Sequence, residues 1–402
     1  MATKYGGYMG KILQIDLTTE NAKDYPFTDQ QRVETLGGKV LAYQILAREL
    51  TGSELPFSEE NLVILSTGPL TGTGAPGSVR FDITTLSPKT GLPMSSNCGS
   101  SLGLYLKKAG YDALILSGCC KAPRWLEICE DQIRFHDALD LWGTDTIECR
   151  QKLANLLDYN FFSALCIGPA GEDLLSAATV ISDGRTAGRS GFGAVLGWKN
   201  LKAITVTGNR TIPLHDPIKT AEEIRKWNRL ILQNPLTADP AKASSCPGCP
   251  IRCKKPEKDT DPILNHLGID SIDAQNHLSW LLEKHGVTLE PASRNKSGQR
   301  RNKFYHSILQ SMGMHDCEDA HHAYQNLTEV IGASGLCIFT IIACLNIQHD
   351  STQLTASTRL PQLLRSITGI CFQKEDLIAI GNRTQELQMD LLRKNQERST
   401  RL

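Results

Sequence analysis

The sequence predicts an α+β protein, in which a sheet-rich domain over residues 1–210 is followed by a helical region over residues 211–402. Two observations predict this division. Short runs of β-forming residues, most of them bounded by Gly, Pro or Ser, recur through the first half. From about residue 215 onward, apolar residues recur three or four positions apart, which is typical of helices with one buried face.

The individual elements follow from these patterns. Strands are predicted at residues 11–17, 62–66, 79–85, 113–117, 124–129, 164–167 and 202–207, and helices at residues 39–50, 102–109 and 144–156. In the second half, Asp216 is a suitable helix cap and Pro217 suits the first helical position, so a helix is predicted to begin there and to run through Ile231. A last helix is predicted around residues 377–391.

Composition excludes several classes of protein. The chain has 402 residues, 43 Lys and Arg against 43 Asp and Glu, and 40% hydrophobic residues, which excludes intrinsic disorder of the whole chain. The charge balance argues against a nucleic acid or an acidic membrane as the main partner. No segment reaches the roughly 18 apolar residues of a membrane helix and the N-terminus lacks the apolar core of a signal peptide, so the prediction is a cytoplasmic protein.

Cysteine spacing gives the sharpest local signal. The chain has 13 cysteines, an odd number without export signals, which favours a reducing compartment over a disulfide framework. Three of them stand in the segment Cys246-Pro-Gly-Cys249-Pro-Ile-Arg-Cys253, a spacing that lets one loop surround an iron–sulfur cluster. Zinc, in a structural role, and cysteines without a metal are the alternatives. Cys337 is the candidate fourth ligand from its context, while spacing leaves Cys317 and Cys344 open.

Three glycine-rich turns suggest an anionic ligand. They lie in residues 187–204, which contain Arg189, in residues 68–80, which end at Arg80, and at Asn97-Cys-Gly99. Backbone amides in such turns approach phosphate closely, and Arg binds it with two hydrogen bonds. A single turn of this kind is equally typical of a tight connection before a buried strand. Three in one domain favour a large phosphorylated cofactor, although neither the Rossmann nor the P-loop pattern is present.

Together these segments resemble the tungsten-containing aldehyde ferredoxin oxidoreductase family. The resemblance extends through most of the first 210 residues. It rests on residues 36–38, 57–61, 67–72, 87–88, 109–112, 167–172 and 188–204.

The resemblance implies a base domain of two β-sheets that seats a tungsten bis-pterin cofactor, tungstopterin, with helices closing over it. Molybdenum is an alternative metal, and Mg²⁺ would bridge the pterin phosphates. The implied reaction oxidises an aldehyde to a carboxylic acid, and electrons leave through a 4Fe-4S cluster to ferredoxin. A homodimer is a possible assembly.

The resemblance also implies roles for individual residues. Those implied to contact pterin and its phosphates are Arg80, Asn97, Gly99, Arg189, Ser190, Gly191, Asn265, Gly268, Asp270, Gly335 and Leu336. Ser190 stands where the family more usually has Gly. The implied cluster ligands are Cys246, Cys249, Cys253 and Cys337.

The helical region departs from the family pattern. Its two pterin-binding motifs have the form Asp-x-x-Gly-Leu-Cys/Asp, but here they read Asn265-His-Leu-Gly-Ile-Asp270 and Gly332-Ala-Ser-Gly-Leu-Cys337, so both leading carboxylates are missing. The segment after Trp280 is also shorter than in the family. These departures leave open a catalytically silent protein that binds a cofactor or transfers electrons through its cluster.

The catalytic acid or base is the least determined element. Glu257, in the charged segment of residues 255–260, is the candidate, and an exposed charged loop is the alternative. The histidine that the family places near its metal has candidates in His315, His321 and His322, for which a polar surface helix is the alternative.

Overall fold

The structure is a computed structural model that describes residues 3–158, 160–233, 246, 248–251, 262–270, 277–285, 318–340 and 355–399. Two six-stranded mixed sheets make up the first half, as the α+β prediction and the family resemblance require. Helices make up the described parts of the second half.

The first sheet has the strand order β2-β1-β6-β3-β4-β5. β1 and β6 run parallel, and every other neighbouring pair in this sheet is antiparallel. Its strands are β1 (Ile12–Asp16), β2 (Asn21–Tyr25), β3 (Val63–Thr67), β4 (Phe81–Leu86), β5 (Pro93–Cys98) and β6 (Ala113–Ser117).

The second sheet has the order β11-β10-β9-β12-β7-β8, in which only β7 and β12 run parallel. Its strands are β7 (Arg124–Cys129), β8 (Gln132–Asp137), β9 (Ser163–Ile167), β10 (Val180–Ser182), β11 (Arg185–Gly188) and β12 (Leu201–Thr207).

One apolar core joins the two sheets. Leu65 and Leu114 of the first sheet belong to the same buried cluster as Leu126, Leu165 and Ile204 of the second. β3, β9 and β12 are buried at every residue, as expected for strands covered on both faces. At one end of the domain β11 also contacts β5, which brings the two sheets together beside the candidate site.

Twelve helices lie within the described residues. They are α1 (Asp29–Thr35), α2 (Gly38–Glu49), α3 (Leu102–Ala109), α4 (Thr146–Leu156), α5 (Pro169–Glu172), α6 (Phe192–Trp198), α7 (Pro217–Leu232), α8 (Pro262–Leu267), α9 (Leu278–His285), α10 (Glu318–Ser334), α11 (Thr355–Thr368) and α12 (Lys374–Ser399).

A second core joins the helices to the first sheet. Val40 and Leu41 of α2 share a buried cluster with Ile64 of β3, Ile331 of α10 and Leu364 of α11. Because α2 contacts β3 on one side and α10 and α12 on the other, it is the layer that connects the sheet to the helices. α10 ends beside the first sheet in consequence, and the residues that follow it reach the candidate site.

The sequence predictions agree with most central elements. α3, β6 and β7 have the predicted bounds, and the other predicted strands and helices are displaced by a few residues at one or both ends. The sequence analysis does not predict β2 or β8, which are edge strands. The side chains of β2 are mostly exposed, so its sequence lacks a buried face. β8 has a weak alternating signal, because Ile133 and Phe135 pack partly buried against the core between the two sheets. β12 ends at Thr207 and α7 begins at Pro217, on either side of the domain boundary near residue 210, which stays a prediction.

In the described parts of the chain, no helix is long and apolar enough to cross a membrane.

Candidate functional site

Three of the four predicted cluster cysteines line one cavity of about 350 Å³, together with Arg80. The cavity lies where β5, the turn between β10 and β11, the segment around Cys249 and the end of α10 meet. Its lining residues are Gly77, Arg80, Asn97, Cys98, Gly99, Gly184, Arg185, Thr186, Cys246, Cys249, Ile251, Cys337 and Phe339.

Local hydrogen bonds hold these cysteines in place. The Cys249 amide donates to the Cys246 carbonyl at 3.0 Å and closes the turn between them. The Cys337 amide donates to the Gly77 carbonyl at 3.1 Å, which ties the residue after α10 to the glycine-rich turn before β4. Gly335 allows this connection because it adopts a φ of +85°, in the left-handed region that glycine tolerates best.

Arg80 connects the thiols to the first sheet. Its Nη1 donates to Cys337 Sγ at 3.6 Å, its Nη2 donates to the Asn97 carbonyl at 3.2 Å, and its Nε donates to Asn97 Oδ1. Burial by itself would lower the pKa of Arg80, but the surrounding Cys337, Cys98, Cys246 and Asp82 raise it above its ordinary value. The guanidinium is therefore a fixed positive charge, suited to stabilising thiolates or another anion.

Gly99 provides the close approach that its place in the predicted motif suggested. A Cβ at this position would lie 2.8 Å from Arg80 Nη1 and 2.8 Å from Cys246 Sγ. Only glycine leaves room here for both the guanidinium and the thiol.

Cys98 is a fourth cysteine of the cavity that the sequence analysis missed. It is the last residue of β5, lies between Asn97 and Gly99, and is buried, and that burial raises the pKa of its thiol to about 12. Its position inside a predicted ligand-binding turn was the available signal, but no second cysteine stands at ligand spacing from Cys98 in the sequence.

A second cavity, of about 250 Å³, shares Arg80 and Asn97 with the first. Asn97 Nδ2 donates to Asp82 Oδ1 at 3.0 Å, so Cys337, Arg80, Asn97 and Asp82 form one hydrogen-bonded chain between the two cavities. Leu336, one of the predicted pterin residues, also lines this second cavity.

Two other predicted pterin residues, Arg189 and Asp270, lie beside each other and away from both cavities. Arg189 Nε lies 3.9 Å from Asp270 Oδ2. Gly268, at a φ of +72°, accepts a 2.7 Å hydrogen bond from the Thr179 amide, which ties this segment to the second sheet.

The glycine-rich turn before α6 contains two consecutive residues with positive φ angles. Ser190 has a φ of +63° and Gly191 one of +83°. The first value is strained for serine, and it explains why glycine suits position 190 in the family pattern. The Ser190 carbonyl accepts a 2.7 Å hydrogen bond from Ser87 Oγ, which holds the turn against the first sheet.

Comparisons with known proteins identify the first half of the chain. The model of the aldehyde ferredoxin oxidoreductase N-terminal domain matches residues 12–208. Residues 12–208 therefore belong to the aldehyde ferredoxin oxidoreductase family. This agrees with the resemblance found in the sequence.

Relatives in this family match over the same share of the chain. The tungsten-containing aldehyde ferredoxin oxidoreductase of Pyrococcus furiosus is 37% identical over 228 residues, covering 56% of this chain and 38% of that protein. The protein of the same name from Pyrococcus abyssi is 38% identical over 231 residues, covering 57% and 38%. A Pyrococcus furiosus protein named aliphatic sulfonate oxidoreductase, WOR-like subunit, is 34% identical over 242 residues, covering 56% and 38%. The matched region is therefore well under half the length of these relatives.

A solved structure shows the same fold over nearly the whole chain. It is the active site complex BamBC of benzoyl coenzyme A reductase in complex with 1,5-dienoyl-CoA, at a TM-score of 0.72 and 17% sequence identity. The superposition covers 97% of this chain and 90% of that one. At this identity the likeness concerns the fold alone.

Some of the candidate residues named in the sequence analysis lie outside the described part of the structure. Cys253, Glu257 and the side chain of Asn265 are among them, as are Cys317, Cys344, His315 and the side chains of His321 and His322. Within the described residues, no three His, Cys, Asp or Glu side chains lie close enough together to hold one metal ion.

Proposed function

We propose that this chain is an oxidoreductase that converts an aldehyde to a carboxylic acid at a tungsten bis-pterin centre and passes the electrons through a 4Fe-4S cluster to ferredoxin. One observation carries the proposal. Cys246 and Cys249 share a cavity with Cys337, and Arg80 donates a hydrogen bond to the Cys337 sulfur.

The residues of the first cavity fit an iron–sulfur cluster. Three thiols face one space of about 350 Å³, and Cys253, four positions after Cys249, is proposed as the remaining ligand. The Arg80 guanidinium balances negative charge on thiolates, and Gly99 leaves the space that a Cβ would fill beside Cys246. Each ligand of such a cluster binds a different iron, so its thiols lie further apart than those around one zinc ion.

The residues around the first cavity also fit a pterin cofactor. Arg80 and Asn97 line both cavities, so their polar groups can bind a cofactor beside the cluster. We assign the binding of the pterin phosphates, with Mg²⁺, to the turn of Arg189, Ser190 and Gly191, and a proton-transfer role to Glu257. When bound, tungstopterin would supply two-electron chemistry and the cluster would supply one-electron transfer to a ferredoxin.

A second candidate is an iron–sulfur protein that transfers electrons without aldehyde chemistry. Glycine at position 332 and asparagine at position 265 favour it, because both motifs lack the carboxylate that the family uses to hold pterin. The substrate is also less determined than the cofactor, since one relative of equal coverage carries the name of a sulfonate oxidoreductase.

Metal content separates these candidates. Protein purified anaerobically from cells grown with tungstate is analysed for tungsten, molybdenum, iron and zinc per chain. About four irons with one tungsten or molybdenum support the aldehyde oxidoreductase and justify an aldehyde-dependent dye-reduction assay. Four irons alone support the electron-transfer protein, and zinc alone contradicts both.

A pair of variants tests the cluster assignment. Cys249→Ser removes one of the cavity thiols, so iron content and the visible absorption of the cluster should be lost. Cys371→Ser is the matched control, because Cys371 is an exposed free cysteine between α11 and α12. Unchanged iron in Cys249→Ser would refute the cluster.

A further inference from the structure

The second cavity contains a buried carboxylate that the proposed function has not used. Its walls come from the first sheet, through Asp82 and Asn97, and from the end of α10, through Ile331, Gly332 and Leu336. Polar groups lie on the sheet side and mostly apolar groups on the helix side. Such a cavity suits a flat ring with a polar edge.

Asp82 is held with its carboxylate at the polar wall. Asp82 of β4 lies directly opposite Asn97 of β5 in the antiparallel sheet. Asn97 Nδ2 donates to Asp82 Oδ1 at 3.0 Å. The residue is 2% exposed. Gly38 is needed on the other side, because a Cβ there would lie 2.9 Å from Asp82 Oδ2.

The nearby lysine does not neutralise Asp82 by direct contact. Lys39 Nζ lies 2.6 Å from the Glu329 carboxylate, in an ion pair between α2 and α10. Arg80 likewise directs its described hydrogen bonds to Asn97 and Cys337. The pKa of Asp82 is accordingly raised by burial to about 6 rather than lowered, although Asn97, Lys39 and Arg80 each oppose the rise.

The helix side of the cavity has room where the family motif has a carboxylate. A Cβ on Gly332 would meet no atom within 4 Å, and its backbone is helical with a negative φ. Position 332 therefore has open space at its Cβ and lines the same cavity as Asp82.

We propose that Asp82 is the carboxylate that accepts the N–H groups of the pterin pyrimidine ring in this cavity, from the sheet side, in place of a side chain at position 332. The inference rests on the proposed function. A pterin ring presents neighbouring N–H donors along one edge, and a carboxylate accepts such a pair with two hydrogen bonds, as it does from arginine. Asn97 orients the carboxylate, and Ile331 and Leu336 contact the ring face.

Pterin content per chain tests this role without relying on activity. The protein is purified with tungstate as above, and the pterin released by acid denaturation is quantified by fluorescence, together with iron and tungsten. In Asp82→Asn, pterin and tungsten should fall about tenfold or more while iron stays at the wild-type level, because a charged acceptor is lost but the cluster cavity is not.

Two further variants separate pterin binding by Asp82 from a general disturbance of packing around the cavity. Glu329→Gln removes a neighbouring carboxylate that is paired with Lys39, and it should keep the wild-type pterin content. Asp82→Asn combined with Gly332→Asp should regain pterin, because the new carboxylate enters the open space at position 332, which lines the same cavity.

The outcomes distinguish this inference from the proposed function. Wild-type protein that holds iron but no pterin refutes the proposed function. If the wild type holds pterin, the inference is overturned when Asp82→Asn keeps it, when Glu329→Gln loses it equally, or when the double variant regains none.

Discussion

Arg80 Nη1 lies 3.6 Å from Cys337 Sγ, although the two residues are 257 positions apart in the chain. The contact joins the glycine-rich turn before β4 to the residues that follow α10. It places a permanent positive charge beside a thiol that we assign to an iron–sulfur cluster.

The positive charge of Arg80 should raise the reduction potential of the cluster. In Arg80→Met, the reduced cluster loses a stabilising positive charge, so its reduction potential should become more negative, by about 60 mV if the interaction is worth about 1.4 kcal/mol. The potential is measured by redox titration followed by electron paramagnetic resonance. Arg134→Met, at a side chain that is 53% exposed, is the control and should leave the potential unchanged. An unchanged potential in Arg80→Met would contradict the role of Arg80.

Gly99 should not tolerate a methyl group. In Gly99→Ala, the new Cβ would lie 2.8 Å from both Arg80 Nη1 and Cys246 Sγ, so the cysteine segment must shift and iron per chain should fall. Gly332→Ala is the matched control, because its Cβ meets nothing within 4 Å, and this helical site should gain about 0.5–1 kcal/mol of stability. Equal iron content in both variants would show that the tight contact at Gly99 has no importance for the cluster.

Asp82 should make stability depend on pH in an unusual direction. Its folded-state pKa of about 6 lies above the ordinary 3.8, so the folded protein binds this proton more tightly than the unfolded protein does. The contribution of Asp82 to the free energy of unfolding is therefore greatest below about pH 4 and falls as pH rises through 6. A shift from 3.8 to about 6 corresponds to at most about 3 kcal/mol at neutral pH.

Asp82→Asn removes this titration. Relative to wild type, the variant should gain stability progressively between pH 4 and pH 7, measured by urea denaturation of protein expressed without tungsten or molybdenum. Asp24→Asn, at an exposed carboxylate, should show no such trend. If the difference in free energy of unfolding between the wild type and Asp82→Asn stayed constant over this pH range, the raised pKa would be contradicted.

The buried pair of Lys107 and Asp112 should be important for folding. Lys107 Nζ lies 2.5 Å from Asp112 Oδ1, both side chains are at most 1% exposed, and Asp112 also accepts from the amides of Met9 and Gly10. Asp112→Ala leaves a buried ammonium without its carboxylate, so the free energy of unfolding should fall by about 3–5 kcal/mol.

A surface ion pair gives the comparison. Lys11 and Asp24 lie 3.8 Å apart with side chains that are 39% and 59% exposed, so Asp24→Ala should cost about 1 kcal/mol or less. Chemical denaturation of both variants measures the difference. Similar losses in the two variants would contradict the special role of the buried pair.

Much of the fold could be predicted because its signals are local. β6 and β7 are short apolar runs bounded by turn residues, and α3 ends at a glycine in the left-handed conformation, so sequence patterns locate them well. The edge strand β2 carries no such signal, because an exposed polar segment pairs with a strand only when a neighbour is already in place.

The candidate site was predictable in its parts but not in its assembly. The spacing of Cys246 and Cys249 predicted a ligand-binding loop, and the glycine-rich turns predicted roles for Arg80 and Asn97, and all four residues line the two cavities. No local pattern could show that Cys98 lines the first cavity and Asp82 the second, or that Arg189 lies beside Asp270 instead.

Residue identity and short-range spacing were sufficient to recognise the aldehyde ferredoxin oxidoreductase family and to separate the sheet-rich first part of the chain from the helical second part. They could not show which residues meet in space. The Lys39–Glu329 pair spans 290 positions and the Arg80–Cys337 contact spans 257. Contacts at such separations arise from the packing of α2 and α10 on the first sheet, where apolar burial between elements sets the distances and side-chain periodicity carries no record of them.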